Sequence, residues 1–455
     1  MFVPLAALAS DYRTLTSADG REIEARILSA SEDSVRIERA SGRRFKVDIG
    51  KFSEEDQAFI EKWRTSRDSN EEKSEVSFEA INETIGRDLF IDANLWDDPS
   101  DKVARRLEWP LESKTETLSS YRSYPDNNYK FLGARPFSAA LYAEKGRSNR
   151  LSLVFANKGD FPPREDGGDA LEAQIEKDAE AIESALNERL GEHDRQSFGE
   201  GSTYRRVSRW DWNDHAFILS EMDDEYLSLL IMTSEDADAK GRADKLRRKT
   251  LAARLEKNVA PRENGDVVIK NIPMVDQGPK GYCVPATFER CLRYMNIPAD
   301  MYLLAMSGQS GAEGAIMEDF IDGVDRDIGR YGRNLKRKNF QMAIRNVSRY
   351  IDKGMPILWQ HFSTEDFNEL ANKQTTARKR AASFDDYREK LEDFRDTADD
   401  LKKDRMRGHI SMIIGYNKTT EEIAISDSWG PAFEIRWVCI EAVEAIGRHV
   451  YVIKL

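Results

Sequence analysis

The sequence predicts a multi-domain α+β protein, and three observations carry that reading. A chain of 455 residues exceeds what one hydrophobic core organises, since cores stop growing at about 250–300 residues, and its length suggests roughly three domains. Short β-like runs punctuated by turn residues fill residues 12–65 and return between 129 and 233, around one long helical pattern. After residue 261 an amphipathic helix, apolar strands and a charged helical insertion alternate. The expected order is a tail or signal remnant at 1–10, a small β-barrel at 11–66, a linker at 67–79 and an α+β middle domain with an antiparallel sheet at 80–235. A connecting helix at 236–260 then leads to a C-terminal α+β domain at 261–455 with a helical insertion at 364–407.

Composition narrows the class. The 40% hydrophobic and 33% charged fractions suit a soluble globular protein, and no stretch approaches the roughly 18 apolar residues of a membrane span. With 69 basic and 82 acidic residues the net charge is -13. That charge repels phosphate backbones, and no basic cluster interleaved with aromatics offsets it, so nucleic acid is not an expected partner. The three cysteines cannot all pair, no Cys/His spacing of a zinc site occurs, and no glycine-rich phosphate loop is present. No metal or other cofactor is expected. Met1 to Ser10 read as the end of a secretory signal, with Ala7-Leu8-Ala9 fitting a small-x-small cleavage site but no basic region before it. Export to a periplasmic or extracellular location is the expectation, and a cytoplasmic one if the segment is only an apolar tail.

In the first module, Ile23 to Leu28, Val35 to Glu38 and Arg44 to Ile49 read as strands, separated by turns at Ser31-Glu32-Asp33 and Ser41-Gly42. Ser53 then caps a short helix with Asp56 at its third position. The pattern Ala18-Asp19-Gly20-Arg21, Ile23-Glu24-Ala25, Gly42, Val47 and Phe52 to Gln57 resembles an SH3-like adaptor homology domain common in exported bacterial proteins. The resemblance implies a protein ligand rather than catalysis. From Thr65 to Ser77 the chain is polar, with Val76 its one aliphatic residue, and reads as a linker.

The middle domain offers strands at Tyr129 to Leu132, Ala139 to Ala143, Leu151 to Ala156, Tyr204 to Trp210, His215 to Ser220 and Tyr226 to Thr233. Its helix, Asp169 to Leu190, aligns Leu171, Ile175, Ala179, Ile182 and Leu186 on one face. Trp210, Trp212 and His215 fit hairpin packing better than a binding site.

Chemistry concentrates in the last domain. Gly278-Pro279 and Lys280-Gly281 make a turn, Pro285 suits a first helical turn, and Phe288, Cys291, Leu292 and Met295 form one apolar stripe. Cys283 therefore stands at a helix N-terminus, where unpaired N–H groups and the dipole favour a thiolate. Gln277, across that turn, can join the Cys283 backbone N–H as an oxyanion donor. Of five histidines, His361 and His409 are the candidates for a base, His361 being the more natural core residue. His409 opens an apolar strand, Ile410 to Tyr416, that turns and returns to Asp427. A hairpin centred on Lys418 sets His409 directly opposite Asp427, within the roughly 5 Å of cross-strand neighbours. Cys291 and Cys439 read as buried apolar residues. The insertion from Thr364 to Arg407, with Phe384, Tyr387, Leu391 and Phe394 at helical spacing, is either a lid or exosite or a docked amphipathic element.

Asp427-Ser428-Trp429-Gly430 resembles the Asn-Ser-Trp-Gly that follows the histidine of papain-like peptidases. Together Gln277, Cys283, His409 and Asp427, in this order between Val267 and Leu455, resemble that clan. The Gln-Gly-x-x-x-Cys opening and the aspartate look closest to its bacteriocin-processing double-glycine branch. Neither papain's own flanking pattern around the cysteine nor a following transporter segment is present. The resemblance implies a papain-like fold, amide hydrolysis of a peptide or protein through an acyl-thioester, and cleft positions at Tyr282 and Trp429. A peptide-binding scaffold without turnover, and an acyl transferase or amidase with the same triad, are the alternatives.

Overall fold

The computed structural model describes residues 12–30, 34–39, 44–68, 76–92, 95–161, 168–242, 245–279, 281–307, 317–339, 341–404 and 407–455. The signal-like segment at 1–10, the turns at 31–33 and 41–42, and residues 69–75 of the expected linker lie outside the described residues. The chain divides into two compact units, Met1–Ser77 and Phe78–Leu455.

The first unit is an antiparallel meander of β1 (Arg13–Thr16), β2 (Glu22–Ala30), β3 (Ser34–Arg39) and β4 (Arg44–Asp48), followed by α1 (Glu54–Asp68). Strand alternation turns Leu15, Ala25, Val35 and Ile37 inward, where Phe52 and Ile60 cover them. The Asp56 N–H donates to Ser53 Oγ at 3.3 Å, and the Thr16 N–H donates to Asp56 Oδ2 at 2.7 Å. The expected cap thus also ties the helix to β1.

In the second unit, α2 (Phe78–Ile85) and α3 (Ser100–Arg106) precede β5 (Leu111–Lys114), β6 (Leu118–Ser123), β7 (Ser138–Glu144) and β8 (Arg147–Asn157). The long helix α4 (Gly168–Leu190) separates these from β9 (Asp194–Phe198), β10 (Arg205–Trp212), β11 (His215–Met222) and β12 (Tyr226–Thr233). All eight strands form one antiparallel sheet, ordered β5-β6-β7-β8-β12-β11-β10-β9. Two expectations are corrected here. The run 129–132 makes only an isolated bridge from Phe131 to Ala134, because Leu132 (φ 52°) and Gly133 (φ 78°) turn the chain left-handed. The connecting helix is two short ones, α5 (Ser234–Asp238) and α6 (Arg248–Lys257), since Lys240 and Gly241 adopt φ of 59° and 67° and end the first.

The rest of the unit runs β13 (Val259–Pro261), β14 (Asp266–Ile269), α7 (Cys283–Tyr294), α8 (Met301–Ser307), α9 (Met317–Arg330), β15 (Asn334–Lys338) and α10 (Ile344–Ile351). It continues through β16 (Ile357–Phe362), α11 (Glu365–Arg380), α12 (Phe384–Asp399), β17 (Gly408–Asn417), β18 (Glu422–Ser426), β19 (Arg436–Cys439), α13 (Ile440–Ile446) and β20 (Gly447–Lys454). β17 is central: β16 and β14 share one of its edges and β18 takes the other, while α7 and α10 pack against it. The insertion is the helix pair α11–α12, each capped by a hydroxyl, at Thr364 and Ser383. Phe367, Leu370, Tyr387 and Leu391 bury its inner face. Beneath it Arg378 bridges Asp266 (2.6 Å) and Glu422 (3.1 Å), and Tyr387 and Gln374 also bond Glu422. The pair is docked on the domain through this buried network.

Candidate active site

The turn at Gly278 (φ 68°) delivers the chain to α7, whose first residue is Cys283. The expected stripe, Phe288, Cys291, Leu292 and Met295, packs into the main core, and most of the rest of the helix is buried too, Thr287, Glu289 and Arg290 included. Cys283 itself stays partly exposed and is hydrogen-bonded to His409. His409 on β17 presents Nε2 to Asp427 Oδ1 at 3.2 Å, which leaves Nδ1 for the thiol. The half-buried Trp429 stacks on the imidazole, centroids 4.6 Å apart and planes 26° apart, and shields it from water.

The hairpin register differs from expectation. Met412 pairs with Ser426 and Ile413 with Ile425, which sets Asp427, just past the end of β18, across from Ser411 instead of His409. Near the turn Asn417 pairs with Glu422 and Gly415 with Ala424, a register that would aim Asp427 at the opposite face. A bulge between Ile413 and Gly415 absorbs one residue and restores the face that Ser411 and His409 share. His409 therefore reaches Asp427 diagonally, and Ser411 Oγ donates to Oδ1 at 2.5 Å.

Asp427 is fully buried, and Arg436 on β19 donates to its Oδ2 through Nε (3.0 Å) and Nη2 (2.7 Å). Asn368 and Asn372 of α11 accept from the same guanidinium at 3.1 and 3.3 Å. The insertion thus braces the carboxylate through Arg436. The alternation along β17 placed Ser411 on His409's face, and Arg436 is a charged residue in the otherwise apolar run Arg436-Trp-Val-Cys439. Those were the signals for two residues the sequence reading missed.

Electrostatics follows from these contacts. Burial would raise the Asp427 carboxyl, but Arg436 and the hydrogen bonds from His409 and Ser411 hold it well below the usual carboxylate range. Burial opposes charge on His409, yet the hydrogen bonds to Asp427 and Cys283 push it up to about 9. Burial would likewise raise the Cys283 thiol, and the hydrogen bond and charge of His409, with the backbone N–H groups, bring it below its ordinary value. Both shifts favour a thiolate–imidazolium pair backed by a carboxylate over the neutral pair.

The other candidates separate cleanly. Gln277 donates its N–H to Ser428 O at 2.9 Å, which sets it beside the Asp427–Trp429 segment. Tyr282 does not line a cleft. Its ring is 1% exposed and packs on Tyr302, and its hydroxyl donates to Asn157 Oδ1 at 2.6 Å, because the middle sheet supplies the acceptor. His361 is buried, stacks on Trp359 at 3.9 Å and donates from Nε2 to Ser411 Oγ at 2.9 Å. Burial and the nearby His409 charge hold it neutral, well below the usual imidazole range. His215 is enclosed by Phe90, Trp96 and Trp212, as hairpin packing implies. Cys291 and Cys439 are buried free thiols pushed up to about 12 by burial. His361, His409 and Asp427 bring three ligand-type atoms within 4.8 Å of one another, but hydrogen bonds already engage the cluster: Ser411 holds His361 Nε2 and Asp427 Oδ1, Arg436 holds Asp427 Oδ2, and Asp427 itself holds His409 Nε2.

A thiol at a helix N-terminus, hydrogen-bonded to an imidazole that a buried carboxylate orients, is an arrangement suited to thiol-based acyl transfer. Residues 269–445 match the model of the Peptidase_C39 like family, a span that holds all four residues. The match supports a papain-like cysteine peptidase domain at the C-terminal end of the chain. No curated protein matches the sequence.

Proposed function

We propose that the C-terminal domain hydrolyses peptide bonds with a Cys283–His409–Asp427 triad. The Cys283 thiolate attacks the carbonyl carbon, and the resulting oxyanion takes hydrogen bonds from the Gln277 side-chain amide and the Cys283 N–H. The C–N bond breaks as His409 passes its proton to the leaving amine, leaving an acyl-thioester. His409 then takes a proton from water, whose oxygen displaces the sulfur, and the acid departs as the thiolate–imidazolium pair is restored. Asp427 fixes the imidazole's orientation throughout. The observation that carries this reading is the position of His409, bonded at once to Cys283 and to an arginine-held carboxylate. An SH3-like role for the N-terminal unit, binding a protein ligand of an exported enzyme, belongs to the same proposal.

Alkylation by iodoacetamide between about pH 4 and pH 9, with the modified cysteine located by mass spectrometry, tests the ion pair. Cys283 should react fast at acid pH in the parent and slowly in His409→Ala. Equal, ordinary-thiol rates in both would leave peptide binding without turnover as the better account. Product analysis with an added amine separates hydrolysis from acyl transfer.

A further inference from the structure

The segment leading to Gln277 is gripped by the middle sheet. The Met274 N–H donates to Ser113 Oγ at 2.8 Å, and the Asp276 N–H donates to Glu112 Oε1 at 2.9 Å. Tyr124 Oη donates to Asp276 O at 2.7 Å. That carbonyl and the Gln277 N–H, which donates to Ser428 O at 2.9 Å, are the two ends of one peptide unit. The plane entering Gln277 is therefore pinned from two sides, at its oxygen by Tyr124, one residue past the end of β6, and at its nitrogen by Ser428, two residues past the end of β18. Tyr124 also packs on the backbone at Gly278, where a Cβ would come within 2.8 Å of its ring.

The grip is prebuilt. Glu112 and Arg122 are 5% and 6% exposed, and Arg122 Nε donates to Glu112 Oε1 at 2.6 Å. Ser120 Oγ holds the other carboxylate oxygen at 2.8 Å, while Arg122 is itself bonded to Ser138 Oγ and Tyr142 Oη, each at 3.1 Å. A buried ion pair of this kind is a poor source of net stability, whereas a fully satisfied one defines geometry.

We propose that Tyr124, Glu112 and Ser113 are positioning residues for Gln277, so that the middle domain completes the oxyanion hole. The inference rests on the peptidase reading above. Donors to an oxyanion act only when correctly aimed, and a misplacement of about 1 Å can cost about 100-fold.

The test uses the full chain and two probes. Release of nitrophenolate from p-nitrophenyl acetate passes through an oxyanion, whereas alkylation by iodoacetamide reads the thiolate alone. Tyr124→Phe, and independently Ser113→Ala, each delete one hydroxyl and keep the packing. Each should slow acylation about 10-fold, leave the alkylation pH profile of Cys283 unchanged, and add nothing further in a Gln277→Ala background. Losses that persist in that background, a parallel fall in alkylation, or acylation equal to the parent's would overturn the positioning role. A parent that releases no nitrophenolate, or a Gln277→Ala chain as active as the parent, would instead sink the functional reading and the positioning role with it.

Discussion

Replacing Arg436 by methionine removes the guanidinium that faces Asp427 but keeps a long apolar side chain. Asp427, fully buried, would retain only the hydrogen bonds from His409 and Ser411. Taking one partner from a buried pair costs about 3–5 kcal/mol, because the other charge is left uncompensated. A unit spanning residues 78–455 unfolds with an entropy on the order of 0.8 kcal/mol/K, at ~2.1 cal/mol/K per residue. A 4 kcal/mol loss therefore lowers the midpoint by about 5 °C. The deficit should depend on pH. In the parent the Asp427 carboxyl is depressed, so its contribution is complete above the unfolded value of about 3.9 and fades as pH falls below it. In Arg436→Met, burial loses its strongest opponent and the carboxyl rises, so protonation relieves the orphaned charge at mildly acid pH. Parent and variant should converge between pH 7 and about pH 4.5, by up to ~1.4 kcal/mol per unit for one proton. Paired thermal unfolding at the two pH values measures this. A deficit equal at both would refute the argument and assign the loss to the stacking of Arg436 on Trp429 and Phe433, at 5.2 and 5.6 Å.

Three further outcomes follow from the same geometry. Hydrolysis should be bell-shaped in pH, rising as Cys283 ionises below the ordinary thiol range and falling as His409 loses its proton near about 9, whereas alkylation should show no alkaline fall. The raised His409 value also means that its stabilising contribution is complete below about 6.5 and lost as pH climbs through about 9, which unfolding midpoints at pH 6 and pH 9.5 would register. Gly415→Ala would place a Cβ 2.6 Å from Val267 O, forcing β14 away from β17 beside the bulge. A loss of about 1–3 kcal/mol, together with slower alkylation of Cys283 at acid pH, is expected, and unchanged alkylation would detach the bulge from the triad's alignment.

What the sequence made legible was what local rules decide. Helix signals put Cys283 at the start of α7, because proline tolerance and an apolar stripe are read within a dozen residues. His409 and Asp427 were legible as strand ends joined by a hairpin, but their register was not. The bulge at Ile413–Gly415 is one residue that alternation in an almost wholly apolar strand does not reveal. It nevertheless decides which face Asp427 takes. β5, β6 and β9 escaped because their residues, Leu111-Glu-Ser-Lys and Leu118-Ser-Ser-Tyr-Arg-Ser among them, carry weak strand propensity. Their buried groups, Glu112, Ser113, Ser120 and Arg122, satisfy one another and the Met274–Asp276 backbone, more than 150 residues away. Tyr282 failed in the mirror-image way, since an aromatic beside the cysteine reads as cleft lining until Asn157 is known to hold its hydroxyl. In these last two cases the deciding partner lies on a distant segment of the chain. A buried polar group is legible as a demand for a partner, and only the tertiary fold says which residue answers it. Arg436 shows how far that demand can be read: a lone charge in a run that becomes a buried strand requires an anion, and the acid nearest in sequence that the structure finds wholly buried is Asp427.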